Sequence, residues 1–98
     1  QMVFTTPTLK DWKNYFLKNN KYKDWDKNGA KQALVGYVVE LNGKASNVTV
    51  RKSSGNVDLD KEAIRLIEEG EYTVGIDING KEMRTGNMLI MVYFPPQQ

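Results

Sequence analysis

The chain has 98 residues, a net charge of +2, 40% hydrophobic residues, and neither Cys nor His. That length suits one domain. The missing side chains exclude thiolate or imidazole metal sites, Ser-His-Asp and Cys-His nucleophiles, and an imidazole general base. No apolar run approaches the roughly 18 residues of a membrane span, so an anchor or signal peptide, where one exists, is expected upstream of Gln1. The charge is uneven. Residues 1–31 carry seven lysines against three aspartates, and the remainder carries seven basic and nine acidic groups.

In chain order, "TPTLKDWKNYFLKNN" predicts a helix over about 8–20. Thr8 and Asp11 have capping-box spacing. Leu9, Trp12 and Phe16 share one face, which assigns Trp12 and Phe16 to the core, and Asn19-Asn20 is a stop. "KYKDWDKNGAK" reads as an irregular connection.

"ALVGYVVELNGKASNVTVRK" predicts a hairpin about a type I′ turn at Asn42-Gly43. A two-residue loop pairs Leu41 with Lys44, Val39 with Ser46, Tyr37 with Val48 and Val35 with Val50. One face then carries Val35, Tyr37, Val39, Val48 and Val50, and the other is mixed, so helices are expected over the first. Ser53-Ser54-Gly55-Asn56 is a bend, with Gly55 suited to a positive φ. A second helix follows, with Asp58 as its N-cap, an apolar stripe of Leu59, Ala63, Leu66 and Ile67, and Gly70 at its end. Asp58, Asp60, Glu62, Glu68, Glu69 and Glu71 lack the spacing of a calcium loop and read as caps and surface charge. Asn79-Gly80 is another turn. "MLIMVYF" (88–94), bounded by Gly86-Asn87 and Pro95-Pro96, is the last strand.

These elements predict an α+β fold of two layers: a three-stranded antiparallel sheet in the order second, first, last strand, with both helices on one face. Both alternating sets of the last strand are apolar and its outer edge is free. Met88, Leu89, Ile90, Met91, Val92 and Tyr93 are therefore the candidate partner-binding residues, with Pro at Ile90 or Val92 the substitution expected to block pairing if those N–H groups point outward. Lys10–Lys31, interleaved with Trp12, Tyr15, Phe16, Tyr22 and Trp25, offers a second candidate surface, for nucleic acid. It lacks Arg, and a solvated helix face explains it more simply.

The stretch "GYVVELNGKASNVTVRKSSGNVDLDKEAIRLIEEG" resembles the C-terminal domain of TonB-family proteins, and the first helix fits the layout of that family's Bacteroidetes-type members. The residues carrying the resemblance are Tyr37-Val38-Val39, Asn42-Gly43, Val48, Val50, Ser53-Ser54-Gly55, Leu59-Asp60, Ala63 and Asn79-Gly80-Lys81, over a core of about 30–94. Departures fall at Tyr22-Lys23, where the family has Tyr-Pro, at Lys31 (Gly), at Tyr72-Thr73-Val74 (Trp-x-Pro) and at Leu89-Ile90-Met91 (Leu-Pro-Ile). The resemblance implies a periplasmic, non-enzymatic protein-binding domain without cofactor or metal. Its partner would be an extended segment of an outer-membrane receptor, added to the last strand for energy-coupled transport, or a second copy as a homodimer through that strand. The alternatives are an envelope adaptor or regulatory domain lacking energy coupling, and a nucleic-acid-binding module.

Overall fold

The computed structural model describes residues 2–97. The elements are β1 (Val3–Thr5), α1 (Trp12–Asn19), β2 (Lys31–Val39), β3 (Ala45–Lys52), α2 (Val57–Glu69), β4 (Gly75–Asp77), β5 (Glu82–Met83) and β6 (Thr85–Phe94). The fold is α+β, with two helices and two three-stranded antiparallel sheets, ordered β3-β2-β6 and β1-β4-β5. The larger sheet has the strand order expected from the sequence. The smaller one departs from the single sheet expected. Its strands are two or three residues long, and β1 pairs with β4, more than 70 positions away. Strands so short leave too little periodicity to read.

The core lies over one face of the larger sheet. Ala33, Val35, Tyr37 and Val39 of β2, with Val92 and Phe94 of β6, meet Leu59, Ala63, Leu66 and Ile67 of α2, all buried. α2 supplies its whole predicted stripe because 3.6-residue spacing stacks those four side chains. It packs on β3 and β2. α1 adds Phe16 to the same cluster.

The local chemistry differs from expectation at three places. The β2–β3 turn is not type I′. Only Gly43 has a positive φ (78°); Gly43 N–H donates to Glu40 C=O and Glu40 N–H to Lys44 C=O, a three-residue loop. A type I turn closed by a left-handed Gly needs one positive φ rather than two. The extra residue shifts the pairing to Val38 with Ser46. Asn47, at φ 48°, inserts a bulge that restores Val35 opposite Val50. Asp77-Ile78-Asn79-Gly80-Lys81 repeats the same turn with the same two backbone hydrogen bonds.

The helix starts also differ. α1 begins at Trp12, not Thr8. Asp11 precedes it in the left-handed region without a side-chain cap. Thr8 is drawn away by Thr73: Thr8 N–H donates to Thr73 Oγ1 and Thr73 N–H to Thr8 C=O, both at 2.9 Å. α2 is capped by Asn56, one residue before the helix, whose Oδ1 accepts the N–H groups of Asp58 and Leu59. Asp58 lies inside the first turn. Gly70 does end α2, in an extended conformation. Its glycine answers a close approach, since a Cβ there would lie 2.6 Å from Leu9 Cδ1.

Candidate peptide-docking edge

β6 forms one edge of the larger sheet and, among the described residues, pairs with β2 alone. Backbone groups of alternate strand residues point to opposite edges. Glu40 N–H bonds to Lys44, so even-numbered residues of β2 address β3 and odd-numbered ones address β6. Their partners in β6 are Met88, Ile90, Val92 and Phe94, which consequently turn their N–H and C=O inward. Leu89, Met91 and Tyr93 turn theirs outward. Asn20 Nδ2 donating to Tyr93 C=O at 3.3 Å agrees with this assignment.

Along this edge lies a groove of about 420 Å³. Met88, Leu89, Ile90, Met91 and Tyr93 form one wall, and Pro7, Leu9, Trp12, Lys13 and Phe16 the other. Tyr37 also lines it. Leu89 is 55% exposed and Trp12 46% exposed, both large apolar groups left open to water. Of the candidate residues, Val92 stands apart. Its side chain is buried in the core and does not line the groove.

Helical spacing alone places Trp12 in the core. It forms the outer wall of the groove instead, because the helix begins there and Leu9 falls outside it. Leu9, bridged to Tyr72, reaches the core from an extended segment. Lys13 Nζ sits 5.5 Å from the centre of the Trp12 ring, a cation–π arrangement. Sequence reading missed this second wall, since nothing local says that residues 7–13 lie across from residues 88–93.

The wall is tethered at both ends. Its start is held by the Thr8–Thr73 pair and by Lys10 N–H donating to Glu71 C=O at 2.8 Å. Its end is held by Glu62, which is not a surface charge. Glu62 is 4% exposed and accepts Lys21 N–H at 2.8 Å, Arg65 Nε at 2.7 Å and Arg65 Nη2 at 2.7 Å. Arg65 Nη2 also donates to Asn19 C=O at 2.8 Å. Burial alone would raise the Glu62 carboxyl. The donors from Arg65 and Lys21 outweigh it and hold the group below the usual carboxylate range. Tyr15 donates its hydroxyl to Leu66 C=O at 2.5 Å, and burial pushes its phenol up to about 12.

The other edge differs. β3 carries Arg51 and Lys52 and the Asn47 bulge, features that discourage further pairing. β6 has no charged residue from Thr85 to Phe94.

The aromatic groups among the N-terminal lysines are mostly committed to packing. Phe16 is buried, Tyr22 packs edge-on against Trp25 and Phe94, and Trp25 Nε1 donates to Gly29 C=O. Among the described residues no helix is long and apolar enough to cross a membrane. Compared with known proteins, the chain matches no family model, no curated protein and no solved structure.

Proposed function

We propose that the chain is a non-enzymatic protein-binding domain of the cell envelope that takes up an extended peptide segment as an additional strand on β6. The observation that carries this reading is a coincidence along residues 88–93: outward-pointing backbone groups, an uncharged strand and an apolar groove lie together. Strand addition uses all three. Main-chain hydrogen bonds give affinity, and pockets for alternate side chains give selectivity. The resemblance to TonB C-terminal domains supplies the context of a periplasmic site and an outer-membrane receptor segment as occupant, serving energy-coupled transport. The departures at Tyr72-Thr73-Val74 and Leu89-Ile90-Met91 favour a second reading, an envelope adaptor that keeps the docking edge without energy coupling. The commitment of Phe16, Tyr22 and Trp25 to packing supports a protein partner over nucleic acid.

The test is an NMR titration of the nitrogen-15-labelled chain with peptides from the periplasm-facing N-terminal segments of outer-membrane receptors. Amide signals of Leu89 and Met91 and the indole signal of Trp12 are expected to move together. Binding that leaves those three signals still, or no binding at millimolar peptide, would sink the proposal.

A further inference from the structure

We propose, on the strand-addition reading above, that Asn20 is the end-stop of the docking edge. It limits the incoming segment to two hydrogen-bonding N–H groups, spaced two residues apart, in a stretch without Lys or Arg. Asn20 is 1% exposed and holds Tyr93 C=O through Nδ2. Its Oδ1 accepts Tyr22 N–H at 2.8 Å, and its own N–H donates to Phe16 C=O at 3.1 Å. On either side, Asn19 C=O is held by Arg65 and Lys21 N–H by Glu62. A side chain bonded at both its amide nitrogen and its amide oxygen, on a backbone held on either side, does not yield to an incoming strand.

The opposite end of the edge is closed by geometry. Asn87, at φ 56°, is a bulge that shifts the β6–β2 register between Met88 and Thr85. Between the two ends, the outward carbonyls are those of Leu89 and Met91, and that of Tyr93 is taken. Whichever way an added strand runs, its N–H groups reach alternate carbonyls of the edge. Two of its N–H groups are therefore used and a third finds Asn20.

The occupant is a single extended segment of another protein. The groove beside the edge is about 420 Å³ and is walled by Pro7, Leu9 and Trp12 of the same chain, the size of a cleft for a short segment rather than for a second folded edge. A second copy pairing through its own β6 would bring its own wall into the same space. Charge narrows the sequence further. Lys13 is the one Lys, Arg, Asp or Glu among the described residues lining the groove, so a basic side chain entering there meets a like charge with no carboxylate to offset it.

The experiment selects binders to the full chain from a displayed library of random linear dodecapeptides. It locates them by NMR and then scans the best one with backbone N-methylation. Two sensitive positions, two residues apart and each losing at least about tenfold in affinity, are expected, with Lys and Arg depleted among binders. Asn20→Ala should add a third sensitive position, a change that mere loosening of the fold would not produce. Should Asn20→Ala fail to fold, the count in the native chain decides alone. Three or more sensitive positions in the native chain, or an unchanged pattern in Asn20→Ala, overturns the end-stop while leaving strand addition standing. Binders enriched in Lys or Arg overturn the charge rule. Selected peptides that never perturb β6 overturn both this inference and the proposed function.

Discussion

The backbone N–H of Tyr72 donates to the carbonyl of Gly43 at 2.9 Å, and a Cβ on Gly43 would stand 2.9 Å from the carbonyl oxygen of Tyr72. The β2–β3 turn is thereby pressed against the segment leaving α2, main chain to main chain. Tyr72 is itself locked: its ring lies 5.4 Å from that of Tyr37, and its hydroxyl donates to Ile67 C=O at 2.6 Å. Burial raises the Tyr72 phenol well above its ordinary range.

Gly43 and Gly80 occupy twin turns at similar positive φ, but a Cβ on Gly80 meets nothing within 4 Å. Gly80→Ala should cost about 1 kcal/mol, from the left-handed backbone alone. Gly43→Ala should cost about 2 kcal/mol or more, because the Tyr72 carbonyl must also shift. Chemical denaturation of the two variants measures the difference; equal midpoints would show that the contact is unimportant.

The cap of α2 gives a second pair. Asn56→Ala removes the acceptor for two backbone N–H groups and should lower stability by about 1 kcal/mol. Asp58→Ala removes only an exposed charge from the first turn and should cost a few tenths. Thermal melts that rank the two in the opposite order would return the cap to Asp58.

Glu62 sets an acid limit. Its folded-state carboxyl lies below the ordinary range, so its contribution is complete above the unfolded carboxylate pKa of about 4.3 and is lost as pH falls through the lower folded value. Glu62→Gln should cost about 2 kcal/mol at neutral pH, a figure tempered by the partial exposure of Arg65. The variant should also show a shallower loss of stability below pH 4. Urea midpoints measured across that interval check both; parallel curves for the two proteins would mean that Glu62 does not carry the acid response.

For the docking edge, the informative substitutions are Leu89→Pro and Met91→Pro, because those N–H groups point outward. Ile90 and Val92, the positions expected from the sequence, turn theirs toward β2. Proline is tolerated where a strand N–H faces solvent. Met91→Pro should therefore fold and lose about tenfold in affinity for a strand-adding peptide, while Ile90→Pro should damage the sheet itself. Circular dichroism with peptide titration separates the cases. A Met91→Pro variant that is folded and fully competent would argue against main-chain pairing.

Much of the larger sheet was legible because its signals are local and repeated. The β2 and β6 runs, the bend at 53–56 and the stripe of α2 each declare themselves within ten or so residues. The turn type is not legible locally, since Asn-Gly serves two geometries and only the Glu40–Lys44 hydrogen bonding tells them apart. Half of the candidate site was readable in residues 88–93. The other half was not: Trp12 has core spacing, Asn20 looks like a helix stop, and Glu62 looks like a surface acid. Each acquires its role from a residue at least 41 positions away.

The long tether between β1 and β4 bears on the order in which the molecule assembles. The β2–β3 hairpin and α2 close over short stretches of chain, whereas β1 and the residue 7–13 segment have nothing to dock on until residues 71–94 are in place, and α1 reaches α2 across 41 to 51 positions. Closing loops of that span is the slow, entropically demanding part of folding. The outer wall of the groove is thus the last part to arrive and the first to open. Hydrogen exchange should find the amides of residues 8–13 released at lower free energy than those of β2 and α2. On the proposed strand addition, occupation of the groove should slow the exchange of residues 8–13, so that a seated segment would complete the folding of the site that holds it.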